Sequence, residues 1–126
     1  MQNANVFIVD DDEDILEGVR LELKKAGHHV PLGARDLGEA LAIINNGQLI
    51  REGINLAVID GSFPRTYGDL NNIFGGPIIA KVIRDEGFPI KIVAYSSYSA
   101  DKANYGDVYA DKLEGLKSLI QAVASL

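Results

Sequence analysis

A chain of 126 residues makes one domain of ordinary size, 1–126, with no room for a second. It has no cysteine, which excludes a disulfide framework and any Cys-type zinc site, and a formal net charge of −6 without a basic stripe argues against direct nucleic-acid binding. No apolar run approaches the ~20 residues of a membrane span. Met1 to Asn5 has neither the basic start nor the long apolar stretch of a signal peptide, so a cytoplasmic, membrane-free domain is expected.

Val6-Phe7-Ile8-Val9 is apolar and ends abruptly in the acidic run Asp10 to Asp14, as in a buried parallel strand whose C-terminal end carries polar chemistry. Ile15, Leu16, Val19 and Leu23 share one helical face, and Gly27 is a natural stop. Asp12, Glu13 and Asp14 favour that helix start through its dipole. His28 to Leu32 reads as a weaker second strand, with Pro31 marking an edge. His28 and His29 have no Asp, Glu or Cys partner at a ligand spacing and read as ordinary edge-strand residues. Asp36 is placed to N-cap the next helix, with Glu39 three residues on and Leu37, Ala40, Leu41 and Ile44 facing inward. Asn45 to Gly53 either extends that helix or forms a loop.

Leu56 to Ile59 is a second fully apolar strand, again ending in an acid, Asp60. A polar, Gly-rich stretch without period runs from Gly61 to Pro77; Phe63 and Phe74 within it read as packing or loop anchors. A helix is expected from Ile78 to Glu86, with Pro77 at its first position. Ile90 to Tyr95 forms a fourth strand ending in Ser96-Ser97, and Val108 to Ala110 a brief fifth ending near Lys112. Between them, only about two turns of helix fit around Ala100 to Tyr105. Leu113, Leu116, Leu119, Ile120 and Val123 form one side of a terminal helix.

This alternation gives an α/β class: a three-layer, doubly wound domain with a five-stranded parallel sheet in flavodoxin-like order 2-1-3-4-5, helices on both faces and a shortened fourth helix. Ligands of such sheets sit outside the carboxyl ends of the strands. Asp10, Asp11, Asp60, Ser96 and Lys112 occupy those ends. Two unit charges ~5 Å apart repel by roughly 3 kcal/mol at an effective dielectric of ~20, so three carboxylates there call for a cation. Oxygen ligands suit a hard ion such as Mg2+, held together with phosphate oxygens.

The segments "VFIVDDDED", "LAVIDGSFP", "IVAYSS" and "VYADK", in this order, resemble the receiver domains of two-component response regulators, chemotaxis receivers included, over nearly the whole chain. The resemblance implies that Asp60 takes a phosphoryl group from the phosphohistidine of a histidine kinase or histidine phosphotransfer protein. It implies that Asp11 binds Mg2+, that Asp10 helps hold it partly through water, and that the Ser62 carbonyl and Asp60 complete the protein ligands. Lys112 pairs with the phosphoryl group and Ser96 hydrogen-bonds to it. Tyr109 is the switch aromatic that turns inward as Ser96 moves, changing affinity for a downstream protein. Asp12 shares the role of Asp10 if the strand ends one residue later, and Ser97 that of Ser96 if the register slips by one. Such a domain is a switch rather than an enzyme.

Three departures from the family pattern stand out. Leu113 replaces the proline that usually follows the lysine. The loop 65–76 is longer than usual, with the Gly75-Gly76 pair giving it flexible character, and is expected to overhang the site. The short span between Ser96 and Lys112 alters the usual output face. Tyr98, two residues past Ser96, is placed to limit water access. Alternative readings are a degenerate receiver that only binds partners, or a phosphohydrolase of the haloacid-dehalogenase type using Asp10 and Asp12. The latter lacks room for a cap domain and has Glu13-Asp14 where small residues are expected. A calcium loop is rejected, because Ile15 and Leu21 stand where it needs Gly and Glu.

Overall fold

The computed structural model describes residues 1–126. Five parallel strands, β1 (Asn5–Val9), β2 (His29–Ala34), β3 (Leu56–Ile59), β6 (Lys91–Ser96) and β7 (Val108–Asp111), form one sheet in spatial order β2-β1-β3-β6-β7. This is the flavodoxin-like order expected; β6 and β7 are its fourth and fifth strands. Strands β1 and β3 are buried on both faces, as their unbroken apolar runs require. Phe7, Val9, Ala57, Ile59, Ile92 and Ala94 point to one face, and Val6, Ile8, Leu56, Val58, Val93 and Tyr95 to the other.

The helices divide between these faces. Helices α1 (Glu13–Lys25) and α5 (Leu116–Ala124) cover the second set through Leu16, Val19, Leu23, Leu119 and Val123. Helices α2 (Leu37–Asn45), α3 (Gln48–Arg51) and α4 (Gly76–Asp85) cover the first through Leu37, Ala40, Ile44, Leu49, Ile79 and Ile83. Two acidic caps set the approach to the site. Asp12 accepts from Asp14 N and Ile15 N at the start of α1, and Asp36 accepts from Glu39 N at 2.6 Å at the start of α2. Asn45 to Gly53 resolves into a C-cap at Asn46 followed by the single turn α3.

Four expectations need correction. The two helical turns expected around Ala100 to Tyr105 are absent: Lys102 N and Ala103 N both turn back to Ser99 O, and the crossover from β6 to β7 is made of turns and bends. The shortening of the fourth helix is thus complete. Leu113 is 80% exposed and lies in a 3-10 turn, Lys112–Glu114, outside α5. His28 precedes β2, is buried, and accepts a hydrogen bond from Ala4 N at Nδ1 (2.9 Å). The stretch after Asp60 contains a two-stranded antiparallel ribbon, β4 (Phe63–Pro64) and β5 (Asn72–Ile73), anchored by the fully buried Phe63 ring.

Gly75 and Gly76 serve close packing rather than flexibility. A Cβ on Gly75 would run into the Phe63 ring, and one on Gly76 would sit 2.6 Å from both the Asp60 carbonyl oxygen and the Tyr105 ring. Gly76→Ala is therefore expected to destabilise the fold by about 1–3 kcal/mol, because backbone beneath the site has to shift. Urea denaturation measures this; an unchanged midpoint would show that the backbone yields freely there.

Candidate functional site

The carboxyl ends of β1, β3, β6 and β7 open on a cavity of about 500 Å³ lined by Asp10, Asp11, Asp12, Ile15, Asp60, Ser62, Asn72, Ser97, Tyr98 and Lys112. Carboxylate oxygens of Asp10, Asp11 and Asp60 lie within 4.8 Å of one another. Lys112 crosses from the end of β7 and bridges two of them, with Nζ 2.6 Å from Asp10 Oδ2 and 3.1 Å from Asp60 Oδ1. The other oxygen of Asp10 accepts from Asp12 N (3.0 Å), and Asp60 Oδ1 also accepts from Gly61 N (2.7 Å). Asp11 makes no side-chain hydrogen bond and is only half-buried, which leaves its oxygens free for a ligand.

Burial and the neighbouring Asp10 charge push Asp60 up to about 7, against the pull of Lys112. Burial raises Asp10 as well, again opposed by Lys112. Burial acts to lower Lys112, but the two carboxylates outweigh it and hold the ammonium charged. Three carboxylates against one ammonium leave a surplus of buried negative charge, so the pair Asp10 and Asp60 titrates as a unit.

The Leu113 departure leaves Lys112 in place. The Leu113 N–H donates to Asp111 Oδ1 (2.9 Å), a bond that proline cannot make, and this cap opens the turn that carries Lys112. Ser96 is buried at the end of β6; its hydroxyl accepts from Tyr98 N (3.0 Å) and does not line the cavity, whereas Ser97 does. A Cβ on Gly61 would stand 2.8 Å from Ser96 Oγ, so the serine lies directly beside the residue after Asp60. Asp12 lines the cavity but is occupied as the α1 cap. Tyr109 is half-buried and turned toward the β6–β7 crossover, donating to the Tyr98 carbonyl at 2.5 Å.

Sequence reasoning placed Tyr98 and the long loop near the site, but it did not single out Asn72, did not foresee the contacts of Tyr98, and missed Tyr105. Asn72, on the ribbon, lines the cavity, so the long loop does overhang the site. Tyr98 OH meets Ser62 Oγ at 2.8 Å across the rim, with Lys102 stacked 4.0 Å over its ring and Phe74 edge-on at 5.4 Å. Tyr105 is buried, donates to the Ile59 carbonyl at 2.6 Å, and has its phenol raised by burial and then by Asp60. Its only sequence signal was an aromatic in a segment otherwise poor in apolar residues. The base of the loop is tied down by Tyr67, whose N–H donates to Asp36 Oδ2 (2.7 Å) and whose ring lies 4.0 Å beneath the Arg35 guanidinium.

This fold is that of response-regulator receiver domains. The isolated receiver domain of RcsB from Salmonella enterica serovar Typhimurium, solved with the phosphomimetic BeF3−, matches 98% of this chain and 87% of its own, with a TM-score of 0.75 and 24% identity. TrrA from Thermotoga maritima, a response regulator solved with Mg2+-BeF, matches 99% of this chain and 98% of its own at a TM-score of 0.73 and 23% identity. The signal receiver domain of NarL from Mycobacterium tuberculosis gives 99%, 96%, 0.70 and 20%. No family model matches the sequence, and no curated protein does. No helix is long and apolar enough to cross a membrane.

Proposed function

We propose that this chain is a phosphoacceptor switch in which Asp60 takes a phosphoryl group from a phosphohistidine on a histidine kinase or histidine phosphotransfer protein. One observation carries the reading: three carboxylates within 4.8 Å of one another and one bridging ammonium, at the carboxyl rim of a parallel sheet. The donor set fits Mg2+, since it is all oxygen, over-charged, and has Asp11 unengaged. Asp10, Asp11, Asp60 and the Ser62 carbonyl would hold the ion, which when bound would neutralise phosphoryl oxygens.

The chain's own residues do the rest. An Asp60 carboxylate oxygen attacks phosphorus, the P–N bond breaks, and the leaving imidazole takes up a proton as the acyl phosphate forms. Lys112 already touches Asp60 and is placed to pair with the incoming oxygens. Ser96 sits beside Gly61 and has only to exchange its bond with Tyr98 N for one to a phosphoryl oxygen. That exchange loosens the backbone to which Tyr109 is bonded, coupling the site to the β6–β7 surface and its downstream protein partner. The domain is read as a cytoplasmic switch rather than an enzyme. Tyr98, held over the rim by Ser62 and Lys102, restricts approach of water and favours a long-lived phosphate.

Mass spectrometry after incubation with Mg2+ and acetyl phosphate tests this. One added phosphoryl group is expected, lost with chelator and in Asp60→Ala. No adduct would instead favour a partner-binding domain that works without phosphate, and turnover of a generic phosphate ester a phosphohydrolase.

A further inference from the structure

The connection between the two strands of the β4–β5 ribbon presents a leucine to water. Leu70 is 98% exposed. Single exposed apolar side chains are ordinary on protein surfaces, but this one is not isolated. Of the seven large apolar side chains left exposed, four (Tyr67, Leu70, Phe74 and Ile78) lie between residues 67 and 78, in the ribbon segment and the helix start that follows it. Around Leu70 the chain is built of turn-forming residues, Gly68, Asp69 and Asn71, which need no apolar neighbour. With almost none of its surface covered, Leu70 gains nothing from folding, so the fold itself gives no reason for a leucine there.

The segment that carries it is fixed. Asp69 N donates to the Thr66 carbonyl and Asn71 N to Asp69 Oδ1, both at 3.0 Å. Below them Phe63 is fully buried, and the Tyr67 N–H is tied to Asp36 Oδ2 at 2.7 Å. An apolar side chain held out on a preorganised element suits a partner that covers it, because little ordering remains to be done on binding. Its position says which partner. Asn72 lines the Asp60 cavity, and Leu70 is two residues from it, so their Cα atoms are at most about 7 Å apart. A protein that brings a phosphohistidine to Asp60 covers about 800 Å² around the cavity mouth, a footprint roughly 16 Å in radius, and Leu70 falls inside it. A small phosphodonor reaches Asp60 without touching the ribbon. Beside the same mouth, the start of α1 presents Asp12, Glu13 and Asp14, all exposed, and only Glu13 has a cationic partner. The fitting surface therefore combines an apolar recess with basic side chains.

We infer that Leu70 is a docking residue for the protein that donates the phosphoryl group, its side chain entering an apolar recess beside the donor's phosphohistidine. The inference rests on the proposed phosphoacceptor role of Asp60 and adds to it how the donor protein is chosen. The ribbon recognises the donor, and the cavity performs the transfer.

Leu70→Ser removes no buried contact, so the variant folds as the parent does. Its phosphorylation is measured with acetyl phosphate and with a panel of purified, phosphorylated histidine phosphotransfer proteins, the fastest of which is carried forward. With that protein donor, Leu70→Ser is expected to lower kcat/KM about tenfold, mostly through KM, the effect of leaving one apolar side chain uncovered. The rate with acetyl phosphate is expected to stay unchanged. Ile50→Ser, 68% exposed on α3 and remote from the cavity mouth, is expected to change neither. Transfer from the donor protein at the parent's rate would overturn the docking role and leave the Asp60 reading intact. An equal loss with acetyl phosphate would put Leu70 in the chemistry, and a dimer of the parent that Leu70→Ser abolishes with transfer unchanged would give the leucine to a second copy; both overturn it. A parent labelled by acetyl phosphate but by no donor protein would overturn it too, whereas a parent that acetyl phosphate does not label would remove the phosphoacceptor reading beneath it.

Discussion

Asp60→Asn is expected to make the metal-free protein more stable, by about 1–3 kcal/mol near pH 8, while abolishing phosphorylation. The carboxylate stands with its side chain 12% exposed beside Asp10 and shares a single ammonium with it. Burial and that neighbour raise its folded-state value from 3.8 to about 7. Between those values the folded chain holds a proton that the unfolded chain has released, so stability falls as pH rises through this window. The full cost is present above pH 7 and absent below the unfolded value. For an isolated group, a rise of that size costs about 4 kcal/mol, and sharing of Lys112 with Asp10 reduces what one substitution recovers. The gain of Asp60→Asn should therefore be largest near pH 8 and mostly gone near pH 5. Added Mg2+ should offset most or all of this gain, since the parent binds it more tightly than a variant lacking one ligand and is stabilised by about 2.7 kcal/mol at a hundred times its dissociation constant. Urea midpoints at both pH values measure this. A variant less stable than the parent near pH 8, or a gain independent of pH, would mean that the cluster carries no excess charge.

The sheet and most of its rim were legible because they rest on short-range patterns. Val6 to Val9 and Leu56 to Ile59 are buried on both faces and read as unbroken apolar runs, and each run ends at the residue that faces the cavity. A parallel sheet then brings Asp10, Asp60 and Lys112 together whatever happens in the loops. The β4–β5 ribbon was invisible for the opposite reason. Its strands are two residues long, and what holds it is non-local: Phe63 in the core and the contacts of Tyr67 with Asp36 and Arg35. Asn72 enters the site only because that ribbon closes.

The missing helix and the misread His28 have the same origin. Arg84 Nη1 donates to the Tyr105 carbonyl at 2.6 Å, and the Tyr105 hydroxyl to the Ile59 carbonyl. The Ile92 N–H donates to Asp107 Oδ2 at 2.7 Å. These contacts satisfy the crossover's polar groups from outside the segment, so it needs no helix of its own. The partner of His28 is a backbone N–H 24 residues away, and no ligand-spacing rule looks for one.

Lys112→Met is expected to act in the opposite direction to Asp60→Asn, costing about 2–4 kcal/mol near pH 8. Asp10 and Lys112 have side chains 3% and 13% exposed and meet at 2.6 Å, so methionine replaces the ammonium's volume but leaves buried carboxylates without a cation. The cost stays modest for a broken buried pair, because Asp60 is already raised and takes a proton easily. Lowering the pH toward 5 should restore much of the loss. The wild-type contribution of Lys112, whose own value is raised above 10.5, persists until the pH exceeds that region. In the double variant Asp60→Asn/Lys112→Met, one surplus charge is gone, so the combined effect should be less destabilising than the sum of the two singles. Phosphorylation by acetyl phosphate should slow by about a hundredfold in Lys112→Met with Asp60 intact, the scale of losing one pre-placed donor to developing charge. Rates and urea midpoints on the four proteins of the cycle decide between two kinds of lysine. Loss of stability without loss of rate would make Lys112 a charge balancer alone. Loss of both, with the stability part recovered at low pH, would make the same ammonium that holds the resting acids apart the partner of the phosphoryl group.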